Sequence, residues 1–304
     1  MSAGGGALGI VAGIDPTGGA GLVRDVWTHA VLAPQRPLRC QPSAWTWQGQ
    51  PGGARAQAVE RERFVEGLRR FDDVTSLKIG LLPASLVAPM SKWIERRRAQ
   101  LATTGLRLRV VFDPVLSASE GGDMGASAAG AWELAACCDL VTPNRWEFEA
   151  LVASARGSGS RASTRETETS MTGPAIAELR GDARIGAREV DALSGWWADL
   201  RSTDAPERAS SPRTPRWLVK SAIVNEQAIG DLLLDHDGLV GSWIRTPSSG
   251  PDPRGTGCAL ATAIATMWTD ELELAQACAR ASNWLAQRRA WVHPGPDGRA
   301  HLSR

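Results

Sequence analysis

The chain of 304 residues lacks the features that would place it in a membrane or on nucleic acid. No apolar run approaches the roughly 20 residues needed to cross a bilayer, and the first residues have neither the basic start nor the apolar stretch of a signal peptide. Lys and Arg number 34 against 33 Asp and Glu, so there is no surplus of cations to neutralise phosphates. We therefore expect a cytoplasmic protein whose partners are small metabolites, with no nucleic acid and no membrane among them.

The chain also has no tyrosine, no closely spaced cysteine pair of the CxxC type and very few lysines. The five cysteines form no CxxC pair and have no histidines at metal-ligand spacing, which favours free thiols. Only three of the 34 basic residues are lysines (Lys78, Lys92 and Lys220), a bias that a GC-rich coding sequence explains. A lysine that persists in such a chain is unusual.

Short apolar runs alternate with longer amphipathic stretches, which predicts an α/β fold with a mainly parallel sheet and helices on both faces. The predicted strands cover residues 7–14, 77–82, 106–112, 140–141 and 217–220, with a hairpin of residues 231–235 and 239–243. The predicted helices follow the first loop and cover residues 64–71, 90–101, 128–138, 257–269 and 272–291. Residues 1–304 are expected to form one domain.

Two segments interrupt this pattern. Nine of the 20 residues from 153 to 172 are Ser or Thr and almost none is apolar, so this stretch cannot bury enough surface to offset the entropy of ordering it. We predict a disordered insertion at 153–172 and a second loose segment at 202–216, with a helix at 187–200 between them.

Polar residues follow several of the predicted strands. Asp15, Asp113, Thr142 and Asn144 each stand at or just after the carboxyl end of a strand. Ligands of open α/β sheets bind beyond the carboxyl ends of the strands. These four residues therefore predict a binding site at one edge of the sheet.

The sharpest local motif is Arg254-Gly255-Thr256-Gly257-Cys258, which opens into an apolar helix. Glycines on both sides of a threonine let the backbone turn tightly and aim free N–H groups, with the positive end of the helix dipole, at one point. Such a cradle would bind an anion and would stabilise a phosphoryl group in transfer. The alternative is an ordinary glycine-rich helix start.

Cys258 falls in the first turn of that helix. The helix dipole lowers the pKa of a thiol in this position, so the thiolate could accept a proton from a substrate hydroxyl. The alternative is a small buried residue, which is the commonest fate of a free cysteine.

The first loop, residues 13–21, is rich in glycine but is neither a dinucleotide-binding GxGxxG nor a P-loop. It permits the backbone to approach a small ligand closely, with Asp25 one helical turn further on.

Taken together, the motifs resemble the hydroxymethylpyrimidine and phosphomethylpyrimidine kinases of the ribokinase-like superfamily. The resemblance runs from about Gly9 to Arg289. It rests on the following segments, in order: Asp15 to Gly21 with Asp25, Lys78 to Leu82, Asp113 to Val115, Thr142 to Asn144 with Glu147, Lys220, and Gly255 to Cys258. The first loop and the GTGC motif are the specific parts. The resemblance implies a three-layer αβα sandwich and ATP and Mg²⁺ as cofactors.

The resemblance also implies roles for individual residues. Cys258 would be the catalytic base, and Gly255, Thr256 and Gly257 would form the anion hole. Asp113, Thr142, Asn144 and Glu147 would surround Mg²⁺ and its waters, while Lys220 would reach the nucleotide phosphates. Residues lining the pyrimidine pocket would be Gly13, Asp15, Ala20, Asp25, Gln48 and Leu81, with Asp25 and Gln48 bonding ring nitrogens and the exocyclic amine.

The sequence departs from the family pattern at several places. The family's lysine after Asp113-Pro114-Val115 falls on Ser119, and its Lys-Gly-Gly reads Lys220-Ser221-Ala222. Leu81 replaces the usual methionine of the substrate wall, and Pro251 to Arg254 replace the residues that precede GTGC. Arg254 would supply positive charge lost with the missing lysine.

Three functions fit these observations. The first is an ATP-dependent kinase acting on 4-amino-5-hydroxymethyl-2-methylpyrimidine and its monophosphate in thiamine synthesis. The second is a pyridoxal or pyridoxine kinase, because Cys258 and Gln48 are shared with some of those enzymes. The third is a pyrimidine-binding module in which phosphoryl transfer is impaired. The resemblance also implies a homodimer.

Overall fold

The computed structural model describes residues 6–47, 54–117, 124–158, 214–235, 237–247 and 253–303. The strands are β1 (Ala7–Ile14), β2 (Leu38–Trp47), β3 (Arg55–Ala58), β4 (Val74–Ile79), β5 (Arg109–Phe112), β6 (Leu140–Val141), β7 (Arg216–Val224), β8 (Ile229–Asp235), β9 (Gly238–Arg245), β10 (Val292–Pro294) and β11 (Ala300–Leu302). The helices are α1 (Gly21–Leu32), α2 (Arg61–Leu68), α3 (Val87–Ala102), α4 (Ala128–Ala135), α5 (Arg145–Ser158), α6 (Thr256–Met267) and α7 (Leu274–Arg288), with a short 3₁₀ turn at Ala84–Leu86.

Nine strands form one sheet in the order β3-β2-β1-β4-β5-β6-β7-β8-β9. The six strands from β2 to β7 are parallel, and the pairs β2–β3, β7–β8 and β8–β9 are antiparallel. The chain leaves β1 toward β2 on one side and later returns to β4 on the other. This reversal of strand order places the loop after β1 in the crevice where open α/β sheets bind ligands.

Successive residues of the central strands face two separate cores. In β1, Ile10 and Ala12 pack with α6 and α7, whereas Val11 between them packs with the opposite core. The same alternation occurs in β5, where Val111 faces α6 and its neighbours Val110 and Phe112 face the other side. The result is the predicted three-layer αβα sandwich, with helices on both faces of a mostly parallel sheet.

Several element boundaries differ from the sequence-based prediction. The strand predicted at residues 77–82 is β4, Val74–Ile79, which ends where its ladder with β1 ends, at the pair of Ile79 with Val11. Neither β2 nor β3 was predicted, because β2 contains a proline and mixes polar with apolar residues. The small hairpin of β10 and β11 was not predicted either.

The insertion was predicted to begin at residue 153, but helix α5 continues to Ser158. Residues 153–158 are therefore helical and extend the helical turn that contains the buried Leu151 and Val152. The rest of the predicted insertion and the predicted helix at 187–200 lie outside the described residues. Of the loose segment predicted at 202–216, only residues 214–216 are described, and β7 begins at Arg216. Within the described part of the chain, no helix combines the length and apolarity that crossing a bilayer requires.

Asp139 joins three elements on the amino side of the sheet. Its buried carboxylate accepts a hydrogen bond of 2.9 Å from the Val110 amide and pairs with Arg98 at 2.8 Å. We predict that Asp139→Ala lowers the free energy of unfolding in urea by about 2 to 3 kcal/mol, because it leaves a buried amide and a guanidinium unpaired. The exposed Asp72, changed to Ala, is the matched control and should shift stability by less than about 0.5 kcal/mol. Equal effects of the two changes would contradict this role.

Candidate active site

A cavity of about 690 Å³ opens at the carboxyl edge of the sheet, between the ends of the central strands and the start of α6. Its volume lies in the range of small-molecule sites. Ten of the residues singled out in the sequence line it: Ala20, Asp113, Asn144, Glu147, Lys220, Arg254, Gly255, Thr256, Gly257 and Cys258. The tertiary structure thus gathers segments that are up to 238 residues apart in the sequence (Ala20 to Cys258).

The turn before α6 is shaped by close contact with the first loop. Gly255 has φ of 81°, and a Cβ there would collide with the carbonyl oxygen of Gly19. Only glycine fits such a position without strain. Among the described residues no side chain caps α6, and its first residues, Thr256 to Cys258, line the cavity. Free amides and the positive end of the dipole at a helix start form an anion site.

Lys220 and Asp113 lie directly over this helix start. Their side chains pair at 2.5 Å, and a Cβ added to Gly257 would lie 3.1 Å from Lys220 Nζ and 4.0 Å from both carboxylate oxygens of Asp113. Burial raises the pKa of Asp113, but Lys220, Lys78 and a hydrogen bond from Thr142 lower it more, so the net pKa lies below its usual value. A cation and a carboxylate therefore meet at the anion-binding turn.

Asn144 and Glu147 form a reciprocal cap at the start of α5. The Asn144 amide donates to Glu147 Oε2 at 2.8 Å, and the Glu147 amide donates to Asn144 Oδ1 at 2.9 Å. This is the hydrogen-bond pattern of a capping box. Burial, opposed by Lys220, raises the pKa of Glu147 to about 7. The Thr-Pro-Asn-x-x-Glu motif thus starts a helix and also brings a titratable carboxyl to the cavity.

Cys258 lies in the first turn of α6 and lines the cavity, but it is not a thiolate in the ligand-free protein. Burial raises the pKa of its thiol to about 11, and Asp25 and Asp113 act in the same direction. The Lys78 ammonium and the Gly21 amide oppose this shift but do not reverse it. The prediction that the helix dipole lowers this pKa is therefore wrong, because desolvation of the thiolate outweighs the dipole.

Asp15 organises the first loop instead of facing the cavity. Its carboxylate, 2% exposed, accepts hydrogen bonds from the Thr17 hydroxyl at 2.9 Å and the Ala20 amide at 3.0 Å. It also pairs with Arg254 at 2.9 Å. The role in substrate binding predicted for Asp15 is therefore not supported by the geometry.

Arg254 is likewise committed inside the protein. Its guanidinium bridges Asp15 and Asp297, the latter at 2.7 Å. The residue lines the cavity, but its charge is offset by two carboxylates. Its contribution of positive charge in place of the missing lysine stays a prediction, since the position of that lysine, near Ser119, lies outside the described residues.

Asp25 is fully buried beneath the cavity and does not line it. The predicted contact of Asp25 with a pyrimidine ring is therefore not supported by the geometry. One of its oxygens accepts from Lys78 Nζ at 2.7 Å and the other from the Thr262 hydroxyl at 2.8 Å. Burial by itself would lower the pKa of Lys78. The negative charge of Asp25 and of the groups around the lysine raises this pKa by more than burial lowers it, so Lys78 remains a charged ammonium.

An apolar wall borders the cavity. Gly13 leaves room for Leu81, whose Cδ2 would lie 2.9 Å from a Cβ at that position. Leu81 packs with Met124 and Val115, and these two also line the cavity. A methionine therefore lies beside Leu81, but it comes from another segment of the chain. Gln48, predicted to contact the substrate, lies outside the described residues.

Four site residues were not assigned a role from the sequence: Lys78, Thr262, Met124 and Asp231. Lys78 carried a signal, since lysine is rare in this chain. Asp231 lines the cavity and accepts a hydrogen bond of 2.7 Å from the Ser221 amide. Ser221 has a φ of 48° and occupies a position where the related motif has glycine. No local sequence pattern marks Asp231, because its contact with Ser221 depends on how β8 pairs with β7.

Comparison with known families identifies the family of the chain. The sequence model of a family described as phosphomethylpyrimidine kinase matches residues 15–182. A comparison with curated protein sequences gives no significant match.

Solved structures share the fold at low identity. Pyridoxal kinase from Bacillus subtilis, as an ADP complex, has a TM-score of 0.64 and 17% identity, over 98% of this chain and 97% of that one. Pyridoxal kinase from Staphylococcus aureus, with AMP-PCP and pyridoxal, has a TM-score of 0.67 and 14% identity, over 98% and 93%. Phosphomethylpyrimidine kinase from Clostridium difficile has a TM-score of 0.55 and 16% identity, over 92% and 97%.

The Lys78–Asp25 pair generates a stability prediction. We expect Lys78→Met to lower the free energy of unfolding by about 3 to 5 kcal/mol, because it leaves the Asp25 carboxylate buried without its cation. The double change Lys78→Met with Asp25→Asn should recover much of that loss, since no charge is then buried alone. Urea unfolding followed by tryptophan fluorescence measures both. A double variant no more stable than Lys78→Met would refute the charge-pairing account.

Proposed function

We propose that this chain, which belongs to the phosphomethylpyrimidine kinase family, transfers the γ-phosphoryl group of ATP to a heteroaromatic alcohol. The alcohol is 4-amino-5-hydroxymethyl-2-methylpyrimidine, and the resulting monophosphate is the second acceptor, as required in thiamine synthesis. The observation that carries this proposal is the meeting of Lys220, Asp113 and the uncapped start of α6 at Gly257.

The anion-binding turn supplies most of the catalysis. A phosphoryl group in transfer spreads negative charge over its outer oxygens, and fixed donors stabilise that charge without reorganising. The amides of residues 255–258 and the Lys220 ammonium are such donors. Gly257 keeps the path between them open, because any larger residue would place a methyl group 3.1 Å from Lys220 Nζ.

The residues around Asp113 fit a magnesium ion. Mg²⁺ is usually held by one or two carboxylates together with substrate phosphates. Asp113 is kept ionised, the Thr142 hydroxyl lies 3.3 Å from its Oδ1, and Glu147 adds a second carboxyl to the same cavity. Asp113 and Glu147 would hold the ion, which when bound would offset the charge of the ATP phosphates.

Cys258 takes up the hydroxyl proton of the substrate. The Sγ atom lies at the same helix start as the anion-binding amides, so an alcohol beside it is close to the phosphoryl group. Only the thiolate can accept a proton, and the buried Lys78 ammonium favours that form against the effect of burial. The alcohol oxygen forms a bond to the γ-phosphorus as its proton passes to the thiolate, the bond from that phosphorus to the β,γ-bridging oxygen breaks, and ADP leaves with that oxygen. The thiol then returns the proton to solvent before the next turnover.

The apolar wall of Leu81, Met124 and Val115 suits a flat heteroaromatic ring. Pyridoxal is the second candidate substrate, because it is also a heteroaromatic ring with a hydroxymethyl group and because it is bound by the structurally similar Staphylococcus aureus enzyme.

Turnover with both alcohols tests the proposal. We expect purified protein with ATP and Mg²⁺ to convert the pyrimidine alcohol to its monophosphate and then its diphosphate, detected by mass spectrometry, with a higher kcat/KM than pyridoxal. A higher kcat/KM for pyridoxal would select the second candidate. Binding of the pyrimidine by calorimetry without any product from either alcohol would contradict kinase function and favour a binding module.

The pH dependence tests the role of Cys258. Since the pKa of its thiol is about 11, the thiolate fraction and therefore kcat/KM should rise by about tenfold per pH unit between pH 7 and 9. We expect Cys258→Ala to lower kcat by at least about 100-fold and to remove that slope, with substrate affinity nearly unchanged. Cys40→Ala, an exposed cysteine on β2, is the matched control and should keep both rate and slope. A slope that survives in Cys258→Ala would rule out the cysteine as the base.

A further inference from the structure

The small hairpin of β10 and β11 is tied to the candidate active site by a buried ion-pair network. Arg254 lies at the centre, with Nη2 at 2.9 Å from Asp15 Oδ2 and Nη1 at 2.7 Å from Asp297 Oδ2. All three side chains are at least 94% buried. Asp15 belongs to the first loop, Arg254 to the turn before α6, and Asp297 to the hairpin. A planar guanidinium can hold two carboxylates at once in this way.

His301 continues the network on the hairpin side. Its Nε2 lies 2.8 Å from Asp297 Oδ1, and its ring is buried. The ring also packs on the first loop, since a Cβ at Gly19 would lie 2.5 Å from His301 Cε1. The Arg254 amide donates to the Ala300 carbonyl oxygen at 2.8 Å, which adds a backbone contact to the ion pairs.

These contacts close a ring around the catalytic elements. The first loop contacts the turn before α6 at Gly19 and Gly255, the turn holds the hairpin through Arg254, and the hairpin returns to the first loop through His301. The first loop also presents Ala20 to the cavity, with its amide held by Asp15. Movement of any one segment therefore changes the separation between the loop and the anion-binding amides.

We propose that Arg254, Asp297 and His301 are positioning residues through which the C-terminal hairpin holds the first loop against the anion-binding turn. Their effect on the rate rests on the function proposed above. Asp297 and His301 do not line the cavity and act on the reaction through Arg254 and Gly19. A site held to within a fraction of an ångström is needed for phosphoryl transfer, because small displacements of reacting groups cost large factors in rate.

The central test is Asp297→Asn, which keeps the size of the side chain and removes its charge. We expect kcat for the pyrimidine alcohol to fall by about tenfold or more, with the KM for ATP changing by less than about twofold. Arg254→Lys, which keeps the charge but cannot bridge two carboxylates, should show a similar loss. Asp72→Asn, an exposed acid on the opposite edge of the sheet, is the matched control and should leave kcat unchanged.

Amide hydrogen exchange supplies a readout that does not need turnover. In Asp297→Asn we expect faster exchange in the peptide covering residues 15–21, where the Ala20 amide is bonded to Asp15, and unchanged exchange in β5 and β6. If wild-type protein phosphorylates neither alcohol, the proposed function fails, but the exchange result still decides the positioning role. Unchanged exchange at residues 15–21, or equal acceleration throughout the protein, would overturn it, as would an unaltered kcat in an active enzyme.

Discussion

The start of α6 approaches its neighbours so closely that only glycine fits at Gly255, and the rest of the site depends on this contact. At Gly255 the helix start meets the first loop, and at Gly257 it meets the Lys220–Asp113 pair. These two contacts bring free amides, a cation and a carboxylate to one point. A larger side chain at Gly255 would separate the helix from the loop, and the cavity would lose its anion-binding end.

Three buried cations at this edge of the sheet are each paired with a carboxylate. Lys78 is paired with Asp25, Lys220 with Asp113, and Arg254 with Asp15 and Asp297. Removing one partner leaves an uncompensated charge in a poorly solvated site, which costs far more than the pair contributes. The same burial raises the pKa of the Cys258 thiol and of the Glu147 carboxyl. Burial therefore strengthens the electrostatic interactions in the cavity and keeps the Cys258 thiol protonated.

Much of the site could be predicted from the sequence because its chemistry is local. The glycines of residues 255–257, the helix that follows them, and the polar residues after β1, β5 and β6 are each visible in a few consecutive residues. Asp15, Asp25 and Arg254 were assigned to ligands, but the structure pairs them with other side chains. Asp15 pairs with Arg254, 239 residues away, and the partners Lys78, Thr262 and Asp297 of the other two come from segments 43 to 237 residues away, so local sequence could not reveal them.

The sequence by itself determined the layered α/β fold, the edge of the sheet where the cavity opens, and the glycine-rich start of α6, because periodicity and glycine placement act over short stretches. Only the tertiary structure decided which charges face the cavity and which are neutralised within the protein. It also decided that Cys258 is protonated and that the hairpin of β10 and β11 contacts the first loop. Pairing and desolvation depend on which distant segments pack together, and that packing is a property of the whole fold.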